Sequence, residues 1–224
     1  PNTNSSWIWG IGPYAQSPSG NSGKFGSQQT AAGVTAVVLN REGPWTYGLL
    51  GYQSWNWYQN QQSLKASAQY ENLVKLDISD TKNLKAIQSI SGEIMDKFSG
   101  TPYAGRAALT AAKANFQANE LKSAKTQLEW AADHAKEDAI RAMALLELAA
   151  MQVQEKDYAS ALKTLEEKHS SGFDGLFADL RGDVFAAQGK TAEAKAAYKE
   201  AVEKLDPEGH FVKFTQHKLE ALGN

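Results

Sequence analysis

The chain has 224 residues, a formal net charge of −2 and no cysteine. That balance gives no electrostatic basis for nucleic-acid binding or for a strongly basic membrane-surface patch. The missing thiols exclude disulfides, thiol catalysis and Cys-ligated metal.

No run of about 18 apolar residues occurs, so no transmembrane helix is expected, and no signal peptide is visible. The first residue is Pro1 rather than Met, which reads as a fragment or a processed product. Composition breaks sharply near residue 64. Residues 1–64 carry only Lys24, Arg41 and Glu42 as charged side chains, yet hold five of the six tryptophans and half of the glycines. The remainder is charged and Ala-rich, with Trp130 as its one tryptophan.

Trp7-Ile8-Trp9-Gly10-Ile11-Gly12-Pro13 opens the chain, and the polar Gln16–Thr30 stretch after it reads as a flexible loop. Ala31–Leu39 alternates and is β-branched, Asn40–Pro44 reads as a turn, and Trp45–Trp57 alternates again. Long strands joined by a short turn, with aromatics near their ends, are the unit of an outer-membrane β-barrel. An ordinary soluble hairpin accounts for the same period. Three strands cannot close a barrel, because an open edge in lipid leaves backbone groups unpaired.

On the opening Trp-rich block, the Gly-rich loop, Gly33–Leu39 and Gly43–Gly48, residues 1–55 resemble part of an outer-membrane transporter-like barrel family linked by name to meta-pathway phenol degradation. Residues 1–57 are therefore read as a β-prone, barrel-like fragment and residues 58–224 as a helical domain. A natural fusion, a recombinant chimera and a sequence-assembly join each account for the pairing, and the join is preferred. Residues 1–45 have few apolar partners in the helical domain and are expected to be loosely packed or disordered.

From Gln59 onward the period is helical. Expected helices are Trp57–Leu76, Thr81–Phe98 capped by Asp80, and one that Thr101 caps, with Pro102 at its first position, ending near Ala118. Six more follow at Leu121–Ala135, Asp138–Gln154, Tyr158–Glu167, Phe173–Gln188, Thr191–Leu205 and Gly209–Ala221, with Pro207 and Gly209 marking the last break.

These helices repeat. Ala124, Ala161 and Ala194 stand 37 and 33 residues apart. Four residues after each is a large side chain: Leu128, Leu165 and Tyr198. Twelve residues before each is a small one: Ala112, Ala149 and Gly182. Small residues let two helices of a hairpin approach, and the large one fills the space beside them, which is tetratricopeptide logic at a period near 34. A generic Ala-rich bundle is the competing arrangement. The expected fold is mainly α, made of tetratricopeptide-like stacked helical hairpins with an N-terminal β-hairpin-like or disordered extension.

Trp57-Tyr-Gln-Asn-Gln-Gln-Ser-Leu-Lys-Ala-Ser-Ala-Gln-Tyr is similar to a juxtamembrane helix, and Ala178-Asp-Leu-Arg-Gly-Asp-Val-Phe-Ala-Ala-Gln-Gly-Lys lies in a distinctive repeat, Phe173–Leu205. On these blocks residues 54–224 resemble the YfgM-like family, the tetratricopeptide-like ancillary subunits of the SecYEG translocon. The resemblance implies a scaffold at the periplasmic face of the inner membrane. Its implied partners are the translocon, a periplasmic chaperone and secreted polypeptide segments. It also implies an N-terminal anchor helix. Where that anchor belongs, this sequence has the β-like segment, so the chain is expected to be periplasmic without a visible anchor.

Chemistry has little to stand on. His134, His169, His210 and His217 form no metal-ligand pattern and read as surface residues. Gly20, Gly23 and Gly26 lack the Lys-Ser/Thr of a phosphate loop. Asn4-Ser5-Ser6 is a formal glycosylation triplet that matches readily by chance. Glu166-Glu167 and the Asp133, Asp138 pair read as solvated surface. No Gly-x-Ser-x-Gly occurs, and no nucleophile, base or metal constellation is present. No cofactor is expected, and the chain is read as non-catalytic.

A binding groove does have a geometry. The first helix of each tetratricopeptide hairpin lines a groove. By register its positions are Leu109, Lys113 and Phe116, then Leu146, Ala150 and Val153, then Asp179, Asp183 and Ala186. A groove apolar at one end and acidic at the other suits an amphipathic or basic segment. Packing of these same side chains against neighbouring helices is the alternative.

Overall fold

The computed structural model describes residues 7–16, 31–40 and 45–223, with side chains from residue 54 onward. The expected loop through residues 17–30, the Asn4 triplet, the Gly20, Gly23 and Gly26 series, and most of the Asn40–Pro44 turn lie outside the described residues. So does the disorder expected within residues 1–45, apart from two strands. The chain divides into two units, Pro1–Asn60 and Gln61–Asn224.

In the first unit, β1 (Trp7–Gln16) and β2 (Ala31–Asn40) pair antiparallel, with Trp9 opposite Val38 and Ile11 opposite Ala36. The expected pairing of Ala31–Leu39 with Trp45–Trp57 does not form. Residues from Trp45 onward belong instead to a long helix, α1 (Trp45–Val74), which starts twelve residues before the expected Trp57. A short apolar run satisfies a period of 2 and a period of 3.6 equally well. No proline occurs between Trp45 and Val74 to interrupt the helix.

The second unit is built of helical hairpins. After α1 come α2 (Leu84–Lys97), α3 (Pro102–Gln117), α4 (Leu121–His134), α5 (Asp138–Gln154), α6 (Tyr158–Leu165), α7 (Asp174–Ala187), α8 (Thr191–Lys204) and α9 (His210–Ala221). A single 3-10 turn, Thr81–Asn83, leads into α2, and the Asp80 side chain accepts from the Lys82 N–H there. Thr101 sits at the N-cap of α3 with extended backbone, but its hydroxyl donates back to the Phe98 carbonyl at 2.8 Å rather than accepting from the helix.

Three hairpins, α3/α4, α5/α6 and α7/α8, share one turn. Asn119, Lys156 and Gly189 adopt φ of 61°, 62° and 72°. They stand 37 and 33 residues apart, the same spacing as the alanine register. The next N–H reaches back to a carbonyl five residues earlier in every copy: Glu120 to Asn115 at 2.8 Å, Asp157 to Gln152 at 2.9 Å and Lys190 to Phe185 at 2.9 Å. A left-handed residue followed by such a bond closes the orphan carbonyls of the first helix and reverses the chain.

The register residues are the core. Ala124, Ala161 and Ala194 are fully buried, and their small partners Ala112, Ala149 and Gly182 and the large Leu128, Leu165 and Tyr198 are buried as well. Each first helix serves two cores. Ala104, Ala107, Ala111 and Ala114 of α3 face Leu73 of α1 and Ile87 and Ile94 of α2. Ala108 and Ala112 of α3 meet Leu128 of α4 and Leu148 and Met151 of α5. Ala142, Leu145 and Ala149 on the far side of α5 meet Leu165 of α6 and Phe177 and Val184 of α7. Helices buried on two sides need small side chains on both, which accounts for the alanine content. Each large buried residue contributes about 1.5–3 kcal/mol.

Candidate binding groove

The nine expected groove residues separate into three environments. Lys113, Phe116 and Ala150 come together. With Ala112, Leu128, Glu147, Met151 and Gln154 they line an open cleft of about 210 Å³ between α3 and α5. Phe116 leaves 41% of its surface exposed, so a large aromatic ring stands at the rim with no partner covering it. The cleft is smaller than the roughly 300–1,000 Å³ typical of small-molecule sites. It suits one or two apolar side chains of another chain.

Lys113 and Glu147 set the electrostatics of this cleft. Glu147 as a residue is open to solvent. Burial of its carboxyl is nonetheless the larger influence and raises its pKa, with the Lys113 ammonium pulling the other way. The cleft therefore presents an apolar floor flanked by one cation and one carboxyl. Glu147, Met151 and Gln154 were not among the expected residues. They follow Met143 at helical spacing on the same face of α5 as Ala150, and that periodicity could have found them.

Leu109, Leu146 and Val153 do not face the cleft. Leu109 packs on the α3–α4–α5 core, and Leu146 and Val153 pack on the α5–α6–α7 core. Among these positions, packing against neighbouring helices wins.

Asp179 and Asp183 are met by the chain's own last helix. Lys218 Nζ of α9 lies 2.8 Å from a carboxylate oxygen of each, and the Thr215 hydroxyl donates to Asp179 at 2.8 Å. Tyr198 donates its phenol to Asp183 at 2.7 Å. Burial, then this hydrogen bond, pushes the Tyr198 phenol far above its ordinary range. The acidic end of the expected groove is thus occupied from within, with one ammonium shared by two carboxylates. Ala186 is half-buried on the same helix.

The histidines are less uniform than expected. His210 and His217 are exposed. His134 stacks on Trp130 with ring centroids 4.9 Å apart. His169 is only 17% exposed and lies flat on the buried Phe177 ring at 3.6 Å, with Nε2 3.3 Å from Asp174. Among the described residues no group of three or more His, Asp or Glu side chains is placed to hold a metal ion.

Stacked helical hairpins sharing one register, with first helices flanking an open cleft, define a tetratricopeptide-like repeat protein. A family model described as a tetratricopeptide repeat-like domain matches residues 36–224. The chain is 30% identical over 191 residues to the ancillary SecYEG translocon subunit of Neisseria gonorrhoeae, covering 80% of this chain and 90% of that protein. It is 30% identical over 156 residues to the protein of that name from Escherichia coli K12, covering 69% and 73%, and 29% identical over 154 residues to the one from Haemophilus influenzae, covering 69% and 74%. This chain belongs to the tetratricopeptide repeat-like family of ancillary SecYEG translocon subunits.

The family match begins at residue 36, well before the expected residue 54, and runs across the join placed near residue 57. The matches lend no support to a chimera there, and none of them is to a barrel family. Among the described residues no helix is long and apolar enough to cross a membrane.

Proposed function

We propose that this chain is a non-catalytic interaction module. It associates with the SecYEG translocon at the periplasmic face of the inner membrane. There it assists secreted chains, or a periplasmic chaperone acting on them, by holding apolar side chains of a polypeptide in the α3–α5 cleft. The observation that carries this reading is the convergence of Lys113, Phe116 and Ala150, from two successive first helices, on one open apolar cleft. The relatives' shared name supports the translocon as partner.

Membrane proximity has its own support. From Trp45 to Leu64 no residue of α1 is charged, and Trp55, Trp57 and Tyr58 are exposed. Trp and Tyr, each with an apolar ring and a polar handle, favour the membrane–water interface.

A photo-crosslinking residue at position 116 tests the proposal. The full chain is mixed with SecYEG in lipid nanodiscs carrying an arrested secretory polypeptide. Crosslinks to the translocon or the polypeptide are expected from position 116 and not from Lys199, an exposed site on α8. Equal crosslinking from both positions, or none from 116, overturns the groove assignment.

A further inference from the structure

A second, larger cleft of about 400 Å³ opens on the other side of α5, between α4 and α6. Arg141, Leu145, Leu148 and Gln152 of α5 line it, whereas Glu147, Ala150, Met151 and Gln154 line the first cleft. At 3.6 residues per turn these two sets occupy roughly opposite faces of one helix. From Arg141 to Gln152 the second cleft follows α5 for about three turns, roughly 16 Å at 1.5 Å per residue. That is the length of a helical segment rather than of a compact ligand.

Its walls differ in charge. On α4 stand Glu129 and Asp133. Across from them, on α6 and the residues just after it, stand Lys163 and Lys168, with Glu167 between them, and Arg141 adds a cation at the base. Leu145, Leu148 and Ala132 supply a narrow apolar floor. A smaller cavity of about 140 Å³, lined by Asp138, Arg141, Lys168, His169 and Ser170, adjoins the end at Arg141 and Lys168, and there Asp138 offsets part of the positive charge.

Among the described residues no ion pair crosses between the walls. Arg141 reaches only its own helix, at 3.5 Å from Asp138. Opposed charges that do not close on each other leave a slot that a third element of complementary charge can enter. Small-molecule sites are lined mainly by apolar groups, whereas half of the residues lining this cleft are charged and only Ala132, Leu145 and Leu148 are apolar.

We propose that the α4–α6 cleft docks an amphipathic helix of a partner protein, one with a basic edge against α4, a narrow apolar stripe on the Leu145–Leu148 floor and an acidic edge against Lys163, Lys168 and Arg141. Turning such a helix end for end exchanges its edges, so the charge pattern fixes its direction as well as its affinity. The site is independent of the α3–α5 cleft. The module therefore carries two polypeptide sites back to back on α5, and one partner can stay docked while the other cleft loads and releases.

The test uses the isotope-labelled full chain and two synthetic stapled helical peptides of equal composition. In one, Lys and Glu residues are segregated to opposite edges of a Leu/Ala stripe; in the other they are mixed. The segregated peptide is expected to shift the amides of Ala132, Leu145, Leu148 and Thr164 and to bind at least about tenfold tighter than the mixed one. Glu129→Lys with Asp133→Lys weakens it about tenfold, and so does Lys163→Glu with Lys168→Glu. The four changes together restore binding with the peptide reversed, read from a spin label at its N-terminus. Added salt weakens binding to the unmodified chain, which keeps the proposal testable should a variant fail to fold. Equal binding of both peptides, indifference to salt and to charge reversal, or shifts confined to Lys113, Phe116 and Ala150 overturn it.

Discussion

Gly182 of α7 and the Tyr198 ring of α8 occupy a single space: a Cβ on Gly182 would overlap Cδ1 and Cε1 of that ring. The two earlier hairpins solve the same packing with Ala112 against Leu128 and Ala149 against Leu165. Gly182→Ala alone is expected to destabilise the chain by about 1–3 kcal/mol through overpacking. Combining it with Tyr198→Leu recreates the pair used twice elsewhere and should recover part of that loss. A double-mutant cycle by urea unfolding checks this, and strictly additive losses would count against the shared-space account.

The shared hairpin turn makes a second prediction. Lys156 holds φ of 62° with a side chain, where Gly189 holds 72° without one. A left-handed backbone costs an ordinary L-residue about 1–2 kcal/mol. Lys156→Gly should therefore raise stability by about 1 kcal/mol, and Gly189→Ala should lower it by a similar amount. Unchanged urea midpoints in both variants would contradict the assignment.

Lys218 holds α9 to α7. Its ammonium meets Asp179 and Asp183 at 2.8 Å, with side-chain exposures of 20%, 16% and 33% for the three residues. Lys218→Met leaves two neighbouring carboxylates without their cation, at a cost of about 1–3 kcal/mol. Amide exchange should quicken in α9 before it does in α3 or α5. Uniform quickening across the whole unit would show that α9 is not a separable strap.

Arg106 clamps Glu137 through two bonds, Nε and Nη2 each 2.7 Å from a carboxylate oxygen. The Arg106 hydrogen bonds hold the Glu137 carboxyl below its ordinary range. A depressed carboxyl contributes stability above its unfolded pKa of about 4.3 and loses it as pH falls through the lower folded value. Both side chains are partly open, at 41% and 33%, so solvent screening limits the pair to about 1 kcal/mol or less. Glu137→Gln should be the less stable form at pH 7, with the gap closing on acidification below that carboxyl's range. Urea titrations of both forms across that range give the answer, and a constant gap would refute the linkage.

The helical unit was legible because its signals are local. Period 3.6, Pro102 at a first turn and the Ala124, Ala161, Ala194 spacing act over one or two helical turns, so boundaries from α3 to α9 fall within a residue or two of expectation. Trp45–Trp57 was misread for the same reason. Its short apolar pattern fits strand and helix alike, and it lies in the helix that runs on to Val74.

The groove was only partly legible. Register alone picks a face of each first helix, and it brought Lys113, Phe116 and Ala150 to the cleft. It cannot say which neighbour covers that face. Leu109, Leu146 and Val153 went to cores shared with adjacent hairpins, and Asp179 and Asp183 went to Lys218, 39 and 35 residues further along the chain.

The amino-acid sequence by itself determined that this chain repeats a small–small–large helical hairpin, because side-chain volume and helical period are properties of each segment alone. Only the tertiary structure decided which faces stay open, because exposure depends on residues distant in the chain. Lys218 closing over two aspartates, and the charges flanking α5 failing to close on each other, are outcomes of packing geometry rather than of pattern.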